Sequence, residues 1–254
     1  MNVLAVDIGN TSAKLGLQAD GSFLAVRRKE SRDWETWLRE AVELCRPDVC
    51  IVSNVAGRAA LPEGWEKLLP CRTFYVGTTL AEATCGLCEI PVGLGADRLA
   101  AIVGARDVCG GYPLLVADAG TCLTFDMVDA DGRYVGGNIS PGLRLRLLAM
   151  HEHTAALPCV ETRGEAPVLG YDTPTAMRSG ALRGLRYEME GCARMVRRRF
   201  PDLRFIVTGG DAPELDADLA PYMVKDPQLV LRGLGVIGRR LLEAGKATMP
   251  VLGR

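Results

Sequence analysis

The stretch "NVLAVDIGNTSAKLGL" at residues 2–17 has a counterpart in "LLVADAGTCLTFDM" at residues 114–127. Each is an apolar strand that ends on an acid, Asp7 or Asp118, bends through a small turn carrying Gly and Thr, and leaves as a second strand-like run. Internal similarity fixes architecture before any single motif does. The two copies predict two related halves, each built around a strand-turn-strand with an acid at the bend. The punctuation "CGGYP" at 109–113 puts the expected boundary near residue 112, giving domains 1–112 and 113–254.

Outward from these stretches the pattern alternates between strand and helix. Strand-like runs are "NVLAVD", "SAKLGLQ", "SFLAVRR", "VCIVSN", "TFYVG", "PLLVAD", "TCLTFDMV", "RYVGGNI" and "RFIVTGG". Helical patterns are expected over 33–45, 57–69, 97–108, 142–151, 174–199 and 228–244. The fold class is therefore α/β. "DADGR" at 129–133 reads as a hairpin turn, because a calcium loop would need a Glu far beyond it. "GLGVIG" at 233–238 fits the dinucleotide spacing, yet 16 residues after it cannot complete a βαβ unit; it reads as the close-packed part of a final helix. A P-loop is absent.

Composition narrows the function classes. The 254 residues are 48% hydrophobic with a net charge of −1, so a sizeable core is available and a large basic field for nucleic acid is not. Arg197, Arg198 and Arg199 sit where a helix would end, where cations complement its dipole. No apolar run approaches the ~18 residues that a spanning helix needs, and the first residues lack a basic leader, so no membrane association and a cytoplasmic location are expected. The nine cysteines are then thiols. Neither the Cys85/Cys88 pair nor "HEH" at 151–153 has the companions of a metal site.

The chemistry of the turns follows from their residues. A bend made of Gly9, Asn10 and Thr11 lets backbone N–H groups converge without side-chain obstruction, which suits phosphate oxygens. Asp7 alone would repel a phosphate. A hydrated Mg²⁺ between them reconciles the two. Ordinary turn chemistry also accounts for Asp-x-Gly-Asn, and the second copy is what favours a nucleotide held from two turns. In "VGLGADRLAAIVGARD", at 92–107, Asp97 reads either as the N-cap of a helix starting at Arg98 or as a carboxylate serving a reaction.

The series "DIGNTSAK" (7–14), "GADR" (95–98), "DAGT" (118–121), "GGNISPG" (136–142), "DTPTAMRSG" (172–180) and "TGGDA" (208–212) resembles the motifs of type III pantothenate kinases, in the family's order and over nearly the whole chain. The resemblance implies two related ribonuclease-H-like domains of the actin-like ATPase kind, with mixed sheets flanked by helices. It implies ATP-dependent phosphorylation of the primary hydroxyl of pantothenate, the first step toward coenzyme A. Asp97 would then be the catalytic carboxylate, with Gly95, Ala96 and Arg98 at the pantothenate end. Asp7, Ile8, Gly9, Asn10, Thr11, Ser12, Ala13 and Lys14 would form the first ATP turn. Thr121, Gly209 and Gly210 would complete the nucleotide site. Asp7 would hold Mg²⁺ through water, and Asp118 a monovalent cation, K⁺ or NH₄⁺.

One position departs from the resemblance. Many relatives carry Tyr-x-x-Pro before the GADR motif, with the aromatic against pantothenate, whereas "CEIP" at 88–91 puts Cys88 there. Weaker affinity, or an aromatic contributed from elsewhere, are both open. The resemblance also implies a homodimer with shared sites, Thr173 reaching the neighbouring subunit's pantothenate pocket. The spacing of Met177, Ala181, Leu185 and Met189 gives a long helix one apolar stripe that either packs in the core or meets a partner. Two other readings keep this sequence: a kinase of another small alcohol or sugar on the same fold, and a non-catalytic transcription accessory factor.

Overall fold

The computed structural model describes residues 1–29, 34–56, 64–76, 88–91, 93–213 and 223–244. They form two compact units. The first comprises Met1–Gly110, Gly132–Tyr134 and the chain from Gln228 onward; the second comprises Gly111–Asp131 and Val135–Pro227.

In the first unit, β1 (Asn2–Ile8), β2 (Ala13–Ala19), β3 (Ser22–Lys29), β4 (Val49–Asn54) and β5 (Arg72–Tyr75) form a sheet in the order β3-β2-β1-β4-β5. The first three strands pair antiparallel; β4 and β5 run parallel to β1. As the central strand, β1 is apolar on both faces, and Val3, Leu4, Ala5 and Val6 are all fully buried. One face carries Leu4, Val6, Leu15 and Leu17 into a core with Trp37 and Leu38 of α1 (Trp34–Leu44). The other face is covered by α5 (Leu229–Glu243), which itself packs along α2 (Ala96–Cys109).

Glycines make that close approach possible. A Cβ on Gly233 would lie 1.8 Å from Ala100 O, and one on Gly104 would lie 2.3 Å from Leu229 O. Gly235 makes room for the buried Gln18, whose amide donates to Leu231 O at 2.7 Å. The "GLGVIG" run is thus the packing face of a helix, as its sequence context indicates.

The second unit repeats the plan. Strands β6 (Leu114–Ala119), β7 (Cys122–Val128), β8 (Tyr134–Pro141), β9 (Arg204–Thr208) and β10 (Met223–Lys225) lie in the order β10-β9-β6-β7-β8, which is the first sheet's order read from the other edge. Its core joins Leu115, Ala117, Phe125 and Phe205 to Leu143 and Leu147 of α3 (Leu143–Glu152) and to α4 (Thr173–Arg199). Asp172 caps α4: its carboxylate accepts from Thr175 N–H at 2.8 Å, and Thr175 Oγ1 accepts from Asp172 N–H at 3.1 Å.

Several expectations change here. Met177, Ala181, Leu185 and Met189 are all buried in this unit's own core, so that stripe is not an association surface. The final helix belongs to the first unit rather than to a continuous 113–254 domain, because its glycines fit α2 and its Gly238 seats on Val3 and Ile51. Within the helix expected at 57–69, residues 57–63 lie outside the described residues, and Trp65–Leu68 form a single 3-10 turn. The short β10 had no strand-like run to announce it.

Candidate active site

In the first unit, strand register places the candidate residues. Asp7 faces Lys14 on β2 and Ser53 on β4, so these three side chains form one row across the sheet. By alternation the row lies on the face that α5 covers, with Val3, Ala5, Gly16 and Gln18. Beyond it the chain turns at Gly9, whose N–H donates to Ser12 O at 3.0 Å, leaving Asn10 and Thr11 exposed at the tip. Burial pushes the Asp7 carboxyl up to about 6; Lys14 opposes that shift and the nearby Asp97 adds to it. Asp7 Oδ1 is buried and has no hydrogen-bond partner among the described residues.

Asp97 stands in the first turn of α2, near enough for its charge to act on Asp7. The helix begins at Ala96 with Gly95 as its N-cap, so Asp97 is the second helical residue rather than the cap the sequence allowed. Its Oδ1 accepts from Arg98 N–H at 2.8 Å. A Cβ on Gly95 would come within 2.7 Å of that same oxygen, so Gly95 leaves the carboxylate its place. Arg98 Nη2 donates to Tyr134 Oη at 3.1 Å. Cys88 is buried in the segment before Gly95, and burial pushes its thiol up to about 11.

In the second unit, Asp118 occupies the register position of Asp7. Its neighbours across the sheet are Thr124 on β7 and Thr208 on β9, where Asp7 has Lys14 and Ser53. The turn here has two residues, Gly120 and Thr121, against four in the first copy. Two motifs from further along the chain converge on it, and the turn closes on itself. Gly142 N–H donates to Thr121 O at 3.0 Å, Gly120 N–H to Cys122 O at 3.0 Å, and Asp211 N–H to Ala119 O at 2.8 Å. Gly209, at φ +105, brings "TGGDA" so close that a Cβ would be 2.2 Å from Ala119 O. Thr121 is exposed at the tip, with Gly210 beside the β9 end.

The structure therefore gathers Asp7, Lys14 and Asp97 in one unit, and Asp118, Thr121 and Gly209 in the other. Thr173 is the first residue of α4, exposed, and lines an open cleft of about 500 Å³ with Met150, Leu157, Tyr171 and Met177. Sequence reasoning missed Ser53 and Thr208. Their hydroxyls are buried and without hydrogen-bond partners among the described residues. The signal that points to them is a second, shorter repeat: "VSN" and "VTG" end the parallel strand beside each acid. Tyr134 carried no such signal.

The sequence profile of the type III pantothenate kinase family matches residues 3–195. A type III pantothenate kinase from Phocaeicola vulgatus is 36% identical over 242 residues, covering 92% of this chain and 96% of that protein. Among solved structures, a Campylobacter jejuni protein described as a Baf family transcriptional activator aligns with a TM-score of 0.60 at 21% identity, over 96% and 99% of the two chains. The ROK hexokinase from Thermus thermophilus aligns with a TM-score of 0.52 at 15% identity, over 96% and 100%. At those identities the structures speak for the fold, which is the two-domain actin-like ATPase and sugar kinase fold. On the profile match and the close sequence relatives, the chain belongs to the type III pantothenate kinase family.

Proposed function

We infer that the protein transfers the γ-phosphoryl group of ATP to the primary hydroxyl of pantothenate, giving ADP and 4'-phosphopantothenate on the way to coenzyme A. Family membership supplies the substrates. The observation that carries the chemistry is the placing of Asp97: a carboxylate in the first turn of α2, not used as its cap, whose charge acts on the half-buried Asp7 opposite Lys14. Asp97 orients the acceptor hydroxyl and takes its proton as the new O–P bond forms and the bond to ADP breaks. A group that only positions and deprotonates is what phosphoryl transfer asks of the protein.

The remaining assignments follow the same reading. Gly9 to Lys14 are the ATP-binding residues of the first unit's turn, and Thr121, Gly209 and Gly210 are the ATP-binding residues of the second unit's. The orphaned buried oxygen of Asp7 fits an Mg²⁺ held through water, and Mg²⁺ when bound neutralises charge on the β- and γ-phosphates. Asp118, beside two threonines, suits K⁺ or NH₄⁺, both satisfied by hard oxygen ligands. Arg98, with Gly95 and Ala96, meets the pantothenate carboxylate. No helix among the described residues is long and apolar enough to cross a membrane, and a cytoplasmic enzyme is the reading that fits its substrates.

A homodimer is part of the proposal. Thr173 is exposed at the start of α4, close in sequence to the exposed Tyr171, so its hydroxyl is open to a second copy.

A coupled ADP assay with Mg²⁺, K⁺ and a panel of acceptors tests the whole. Turnover of pantothenate, and not of sugars or other small alcohols, is expected, with slower ATP use when Na⁺ replaces K⁺. Folded protein that ignores pantothenate, or prefers a sugar, overturns it.

A further inference from the structure

Residues 132–134 lie at the tip of the β7–β8 hairpin, yet they belong to the first unit. Two backbone hydrogen bonds hold them there. Glu89 N–H donates to Gly132 O at 2.9 Å, and Tyr134 N–H donates to Glu89 O at 3.0 Å, which makes an isolated parallel bridge between Glu89 and Arg133. The two side chains of that bridge add an exposed ion pair at 3.6 Å. Gly132, at φ +87, lets the chain bend into this position. The segment leading into Gly95 is thereby stapled to the tip, and the staple brings the Tyr134 phenol to the Arg98 guanidinium, Oη to Nη2 at 3.1 Å.

We propose that Tyr134 is a positioning residue for the acceptor substrate: its hydroxyl, accepting from Nη2, fixes the guanidinium plane of Arg98 so that the substrate carboxylate meets a preset two-pronged donor. A guanidinium recognises a carboxylate through a planar fork, so recognition depends on the orientation of that plane as well as on its charge. A long side chain in a half-buried site has several rotamers, and holding one of them before substrate arrives removes an ordering cost from binding. Arg98 follows Asp97 directly in α2, so the tyrosine sets the carboxylate end of the substrate relative to the group that receives the hydroxyl proton. The segment at 88–91, made of Cys, Glu, Ile and Pro, has no phenol for this task. The hairpin tip brings one from more than forty residues further along the chain. This inference rests on the reading of Arg98 as the partner of the pantothenate carboxylate.

The test is the steady-state kinetics of Tyr134→Phe, of Arg98→Lys and of the double variant, with pantothenate and ATP varied in turn and thermal melts alongside. Tyr134→Phe keeps the ring and removes the oxygen. Its KM for pantothenate should rise by about five- to tenfold, as expected for losing a hydrogen bond to a charged group at a partly exposed position. Its kcat, KM for ATP and melting temperature should stay near those of the parent. In the Arg98→Lys background the same change should leave the pantothenate KM within about twofold, because the oriented fork is already gone; if Arg98→Lys turns over too slowly, calorimetric pantothenate affinities read the same cycle. An unchanged KM in Tyr134→Phe, an equal effect in both backgrounds, or a parallel fall in kcat, ATP affinity and melting temperature would overturn the proposal. A parent protein inert toward pantothenate would remove the functional reading, and this inference with it; an active parent with an indifferent Tyr134→Phe would remove this inference alone.

Discussion

Asp97 stands at the second position of a helix whose N-cap is Gly95, so its carboxylate is not required to start that helix. Replacing it with Asn keeps the side chain's size and its acceptor for Arg98 N–H while removing the charge that takes a proton. Asp97→Asn should cut kcat by roughly 10²-fold or more, with KM for ATP and the melting temperature little changed; near-parental turnover would return the residue to a structural role. Asp7 gives a test of opposite sign. Its carboxyl is raised from 3.8 to about 6, so the folded state holds this proton more tightly than the unfolded chain does. The ionised group therefore costs stability, fully above about pH 6, and the cost fades as pH falls toward 4. Without ligands, Asp7→Asn should raise unfolding stability at pH 7 by on the order of 1–2 kcal/mol and abolish phosphorylation. Denaturant melts at pH 5 and pH 7 check it: the gain should shrink at the lower pH. Both acids were legible in the sequence because each ends or follows a recognisable local pattern. Ser53 and Thr208 left only the faint VSN and VTG repeat and Tyr134 left no signal, because strand pairing or a backbone bridge between distant segments brings each to its place.

Between elements, the contact that matters most for the site is the crossing of α2 and α5. With Gly233 against Ala100 O and Gly104 against Leu229 O, the two backbones touch without side chains between them, and neither can move aside alone. Gly233→Ala should destabilise the protein by roughly 1–3 kcal/mol, as overpacking of a tight core does. Because α2 carries Asp97 at its start, the variant should lose kcat beyond what its unfolded fraction explains. A chemical melt and an activity assay at a temperature where the variant is fully folded separate the two effects; full activity per folded molecule would show that α2 keeps its place. The nine longer strands were visible as apolar or alternating runs. The three residues of β10 are too few to show a period. The stripe on α4 was visible too, but periodicity identifies an apolar face without saying what covers it, and here the unit's own sheet does.

For the whole molecule, the internal repeat was the most informative reading. The similarity of residues 3–17 and 114–127 announces a strand-turn-strand with an acid at the bend in each half, and the structure adds a five-strand order common to both sheets. If the active unit is a dimer in which Thr173 serves the neighbour's substrate, mixing inactive Asp97→Asn and Thr173→Ala subunits should recover about a quarter of parental activity, one intact site in each of the mixed half of the dimers. Mixtures that stay inactive after subunit exchange, or full activity in a monomer by sedimentation, would count against shared sites. What the linear boundary at 112 could not express is the return of α5 to the first unit. That return has a consequence for biogenesis. The second unit has all of its segments once Pro227 has been synthesised, whereas the sheet that begins at Asn2 lacks its cover over Val3, Ile51 and Gln18 until α5 leaves the ribosome. The N-terminal unit, first to be translated, is thus the last able to fold, and during that wait its bare apolar strands are the part of the nascent chain most in need of a chaperone.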